Sequence, residues 1–299
     1  MPLEPHTAMG MSSPSRATIL VVLILVPFLY MRGWRGVRGV WVSAIPTWRA
    51  ASFLFGMSLI WAALGSPLVA YDHDLLTVHM IQHLLLMTFA PALILMGEPL
   101  LAFWHGLPRF GKVVLSALFR QPLVQWFANK LSRPALCWSV SALTLIGWHV
   151  PALFTLGMHS EAWHSVEQAS FLVAGFLFWW PVVQPWPSVS TGPQWSTLLY
   201  LFLATLPCDI LSGFLVFSER VAYPVYLSMP RHFGFSAMED QQCAAALMWA
   251  FVTLIYLVPA AILSTRLLSP RSFHPADAVQ SELRGSIAAR RNPQRVEAV

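Results

Sequence analysis

The sequence predicts an all-α polytopic membrane bundle of seven transmembrane helices, with the N-terminus outside and the C-terminus in the cytoplasm. Three observations predict it: composition, the lengths of the apolar runs, and the one-sided distribution of arginine and lysine. Of 299 residues, 57% are hydrophobic and 10% charged, whereas a soluble globular domain carries about 25% charged residues. A stretch of about 20 apolar residues crosses about 30 Å of hydrocarbon. Seven runs meet that demand, at 17–31, 48–70, 75–96, 134–156, 166–186, 195–217 and 244–263.

Taken in order, the first run is short and follows Arg16, as a signal-peptide core would. It continues into Arg32, Gly33 and Trp34 with no small-residue cleavage pattern, so it reads as a retained span after an extracytoplasmic segment 1–16. The second and third runs are joined by YDHD at 71–74. The connection 97–133 is long, and its GKVVLSALFRQPLVQWFANKL mixes apolar and basic residues at helical spacing, predicting interfacial helix on the cytoplasmic side. The fourth and fifth runs are separated by MHSEAWHSVEQ, and MEDQQC leads into the seventh. The remainder, 264–299, is Ser-, Pro- and Arg-bearing without apolar periodicity and reads as a disordered basic cytoplasmic tail.

Orientation follows from charge. The side holding the N-terminus carries three Lys or Arg residues (Arg16, Arg220 and Arg231) against fifteen on the other, which is therefore cytoplasmic. The acids run the opposite way, nine outside against four inside. The net charge of +5 is thus topogenic and suited to anionic lipid headgroups, with no call for nucleic acid. The three cysteines form no CxxC, and no HExxH is present, so no zinc framework or metallohydrolase motif is read and no enzymatic activity is expected.

Ionisable groups inside a bilayer cost several kcal/mol unless paired or functional, so each is a site hypothesis. His79 and His83, in HMIQHLLLM, share a helix face with Gln82 beside them. At 1.5 Å per residue they lie about 6 Å and about 12 Å below the outer surface, and His149 about 10 Å below it. Two imidazoles four residues apart can supply adjacent ligands to one metal ion; imidazole suits Cu, Zn, Fe and Ni, and a thioether from Met80 or Met87 would narrow the choice to Cu(I). Local structure offers other uses for the same residues. Asp74 can cap the third span and Ser160 a helix carrying His164 and Glu167. His149 can satisfy a carbonyl that Pro151 leaves without its donor.

HMIQHLLLMTFAPALILMGEPL, WHVPALF, HSVEQASFLVAGFLFWWPVV and VYLSMPRHFGFSAMEDQQCAAALMW, in that order, resemble the CtaG family of cytochrome c oxidase assembly factors of the multi-span caa(3) type. The resemblance covers most of residues 48–263. It implies a multi-pass protein of the bacterial plasma membrane, needed to make an active haem-copper oxidase and linked to copper, with oxidase subunits and the lipid bilayer as its partners. The family's polar positions map onto His79, Gln82, His83, His149, His164, Glu167, Glu239, Asp240 and Gln241. His79 and His83 are expected as primary metal ligands and His149 or His164 as a third, with Met80, Met158 or Met238 as a soft donor. Glu167, Glu239 and Asp240 are expected to orient imidazoles or attract the cation. The rival readings are a haem-binding electron carrier using His83 and His149, an intramembrane metallohydrolase using Glu167 or Glu239, and a metal-free scaffold for oxidase subunits.

Overall fold

The computed structural model describes residues 13–40, 45–131, 133–185, 194–230 and 234–268. The N-terminal segment before residue 13 and the tail beyond 268 lie outside the described residues. Among the described residues every regular element is helical. Helix α1 (Ser13–Val40) and α2 (Thr47–Leu64) are followed by a 3-10 turn (Pro67–Tyr71). The third span is α3 (Leu76–Leu84), a π-helical segment (Leu85–Phe89) and α4 (Ala90–Met96). Three short helices follow, α5 (Pro99–Gly106), α6 (Arg109–Phe119) and α7 (Pro122–Leu131), then α8 (Pro134–Trp148) and α9 (Pro151–His159). The described residues close with α10 (Glu161–Val183), α11 (Gln194–Phe217), a 3-10 turn (Pro224–Ser228) and α12 (Ala237–Leu268). Among the described residues six helices are long and apolar enough to cross a membrane, and seven if α8 and α9 form one bent span.

Two of the expected spans take a different shape. The fourth, read as one run over 134–156, is broken, with α8 and α9 meeting at 73°. Pro151 has no N–H and its ring crowds the preceding turn. That turn tightens, His149 N–H bonding Ile146 O and Val150 N–H bonding Gly147 O. The fifth span begins earlier than expected: the helix capped by the Ser160 hydroxyl continues without interruption to Val183, so His164 and Glu167 ride on a spanning helix rather than a connection. Likewise, MEDQQC forms the first turns of α12. The long third connection is helical as expected, and Phe110, Val113 and Leu123 project from it, exposed, as an interfacial segment requires.

The π-helical segment has an identifiable cause. Pro91 has no N–H to give the Met87 carbonyl, and the local register widens by one residue. Gly175 of α10 lies so close to that carbonyl that any β-carbon would collide with it. The centre of the third span therefore presses on α10 just beyond the turns that carry His83 and Glu167.

Two apolar clusters make the interior. One gathers α1, α2, α4 and α5 around Tyr30, Phe53 and Ile94 and reaches Phe171. The other gathers α3 and α8 to α12 around Phe154, Phe178, Tyr226 and Tyr256. The polar site lies at their seam: the His83 ring centroid is 4.1 Å from that of Phe171 of the first, tilted to it, and the His79 ring meets Phe154 of the second edge-on at 5.2 Å.

Candidate metal centre

Three connections converge at one end of the bundle, those joining α2 to α3, α8 to α9 and α11 to α12. Tyr226 of the last donates to the backbone carbonyl of Asp72 in the first, and Tyr223 to that of His149. Beneath this cover lie His79 and His83 on α3 and Glu167 on α10, all three buried. Helical spacing puts the two imidazoles on one face, their Nε2 atoms 2.8 Å apart. Glu167 Oε1 stands 3.1 Å from His83 Nε2 and 3.5 Å from His79 Nε2. Gly157 of α9 makes room for this carboxylate, since a β-carbon there would sit 2.8 Å from Glu167 Oε2.

The triad does not satisfy itself. The Nδ1 atoms of both histidines are buried without a hydrogen-bond partner, and two facing Nε2 atoms can share at most one useful proton between them. A cation at the centre turns those lone pairs into ligands. Corners of a tetrahedron with bonds of about 2.0 Å lie about 3.3 Å apart, and the three separations of 2.8, 3.1 and 3.5 Å bracket that spacing. The donor set therefore fits a metal ion with a fourth position left for an incoming or outgoing ligand.

A second group adjoins it. Asp72 Oδ2 lies 3.3 Å from His164 Nε2, and Asp72 Oδ1 lies 3.7 Å from His73 Nε2. Gln82 Nε2 donates to Asp72 Oδ2 and to the Ala63 carbonyl, fixing the carboxylate against the end of α2. Burial opposes ionisation of Asp72, but the hydrogen bond and charge of His164 hold its carboxyl below the usual range. Burial also pushes His73 below the usual histidine range, favouring the neutral, ligating form. His164 touches both groups, with Nδ1 3.4 Å from Glu167 Oε2.

The other sequence candidates are placed elsewhere. His149 gives Nδ1 to the Leu145 carbonyl at 2.7 Å, the carbonyl freed by the tightened turn before Pro151. Its Nε2 is buried and unpartnered, on the wall of an apolar pocket that His83, Met80, Met87 and Cys208 also line. Asp240 is a cap in trans: its carboxylate accepts from the N–H groups of Leu76 and Thr77, holding the N-terminus of α3, the role the sequence offered to Asp74. Glu239 is a reciprocal cap with Ser236 at the start of α12. Gln241 ties α12 to the end of α11 through the Leu215 carbonyl. Met158 receives the Tyr226 hydroxyl at 3.8 Å. Asp72 and His73, quoted from the sequence only as part of a polar connection, are the members of the site that the ligand reading omitted.

Comparison with known proteins places this arrangement in context. Two uncharacterized proteins, one from Mycobacterium bovis and one from Mycobacterium tuberculosis, are each 24% identical over 236 residues, or 74% of this chain. The chain spans about a third (34%) of the length of these relatives. No solved structure matches. The sequence pattern of the cytochrome c oxidase caa3 assembly factors matches residues 28–269, from α1 to the end of α12, and the chain belongs to that family.

Proposed function

We propose that this protein holds copper at His79, His83 and Glu167 and passes it on during maturation of a haem-copper oxidase. The observation that carries the reading is the triad itself: three donor atoms from two helices, buried and spaced as the corners of one coordination sphere, on two imidazoles whose Nδ1 atoms have no partner to fix their tautomer. Imidazole and carboxylate suit divalent copper, and Met80 and Met87 share a pocket with His83 on whose side a thioether could take up the reduced ion. His164 Nδ1 stands 3.4 Å from the other Glu167 oxygen, placed to steady the carboxylate in the manner of an outer ligand shell.

The excess of Lys and Arg on the far side of the bundle supports an extracytoplasmic location for the site, in a multi-pass protein of the bacterial plasma membrane. An ion delivered there meets oxidase subunits whose copper centres mature on the same side. Three protein ligands and an open fourth position suit transfer, since an incoming donor can bind before the protein lets go.

Copper titration of the purified protein tests the reading. One ion per chain is expected for the wild type, with at least a hundredfold weaker binding in His79→Ala and Glu167→Gln. A Soret band in the purified protein with no copper bound would replace this reading by the haem carrier.

A further inference from the structure

Four imidazoles run inward from the surface in a line. Ring centroids are 5.1 Å apart from His73 to His164, 5.6 Å from His164 to His79 and 4.3 Å from His79 to His83. Exposure drops from the outer ring to the inner ones: the His73 side chain is 27% exposed, His164 8%, His79 1% and His83 6%. Two carboxylates are interleaved with the rings. Asp72 sits between His73 and His164, and Glu167 stands among His164, His79 and His83. The outer pair of rings opens into a small pocket with Glu161 and Ser165, both exposed, at its lining.

We propose that Asp72, His73 and His164 form a second metal site, an entry station from which the ion moves to the buried triad by ligand exchange. The proposal rests on the copper reading of the triad. The Asp72 carboxylate stands 3.3 Å from His164 Nε2 and 3.7 Å from His73 Nε2, wider than the 2.8 and 3.1 Å of the closest triad pairs, so this site is the weaker of the two and releases inward. The hand-over keeps the ion coordinated throughout. His73 Nε2 and the Asp72 carboxylate leave as His79 Nε2, His83 Nε2 and Glu167 Oε1 join, with no change of oxidation state and no other reactant. His164 and Glu167 are the shared edge: His164 presents Nε2 to the entry side and Nδ1 to Glu167, and Glu167 presents Oε2 to His164 and Oε1 to the triad. Gln168 holds His164 Nε2 at 2.8 Å and is the contact an arriving ion displaces.

This entry station is distinct from a single closed cage in its kinetics. A station on the path changes filling and emptying together, while a ligand of the final site changes affinity. The test uses Cu(II) and the full chain in detergent, measuring ions bound per chain at equilibrium and, by stopped-flow absorbance, the rates of loading and of release to a chelator. His73 is partly exposed, so His73→Ala preserves the packed interior. The expected result is loading and release both slowed at least tenfold in His73→Ala, with triad affinity within threefold of wild type. Glu167→Gln is expected to retain one weakly bound ion, which the double variant with His73→Ala loses. Wild-type rates in His73→Ala, or no residual ion in Glu167→Gln, overturns the entry station while leaving the triad reading intact. A wild type that binds no copper overturns both.

Discussion

The two ends of the bundle both bury polar groups, and they do so in opposite ways. At the end where α1, α2 and α5 meet, Arg49 pairs with Glu98, the Tyr30 hydroxyl donates to the Gly97 carbonyl, and Ser52 donates to Leu93 O. Each of these donors meets an acceptor, and Glu98 adopts a left-handed backbone, φ 53°, in the corner between α4 and α5 from which its carboxylate reaches Arg49. At the other end, lone pairs face lone pairs: two Nε2 atoms and a carboxylate oxygen converge while ring nitrogens of His79, His83 and His149 go unpartnered. A buried polar group without a partner costs about 1–3 kcal/mol. One end is therefore closed by its own partners, and the other leaves buried ring nitrogens unanswered.

That contrast can be broken most sharply at the triad. Glu167→Gln and His83→Ala should each weaken copper binding at least a hundredfold, measured by competition with a chromophoric chelator, while metal-free thermal stability holds or rises. A metal-free protein that melts far earlier in both variants would make the triad structural. Next in size is the opposite end: Glu98→Gln should cost about 1–3 kcal/mol of stability by leaving Arg49 without its charged acceptor, read as a lower denaturation midpoint, with copper affinity unchanged. Gly157→Ala should weaken copper binding about tenfold, because its methyl presses on Glu167 Oε2; unchanged affinity would mean that the carboxylate is free to move. The smallest effect belongs to Asp240→Asn, which weakens the cap on α3 and should cost about 1 kcal/mol, with copper stoichiometry retained. Loss of the ion in that variant would return Asp240 to the ligand set.

The spans were legible because a bilayer imposes length and hydropathy on each one separately, and the His79 and His83 pair because helical spacing alone puts them side by side. Glu167 was legible as a partner, three residues after His164. Other parts depend on where distant turns come to rest. Asp240 and Glu239 stand together in the sequence, yet one caps α3 across the bundle and the other caps its own helix. Asp72 and His73 read as connection residues because nothing local shows that α10 brings His164 against them. That His149 answers a free carbonyl was legible, but not which one: it meets Leu145 O, freed by the tightened turn, while Gly147 O, four residues before Pro151, is met by Val150 N–H. The bend of 73° that follows was not legible, because a proline can equally be absorbed as a kink within one helix.

The central claim is that the triad supplies copper for oxidase maturation, and oxidase activity in copper-limited cells tests it most directly. Cells carrying Glu167→Gln or His79→Ala, with the variant present in the membrane at wild-type level, should make oxidase with at least tenfold lower activity, restored by added copper. Glu98→Gln at the same level should support wild-type activity. Fully active oxidase in the triad variants at limiting copper would contradict the account.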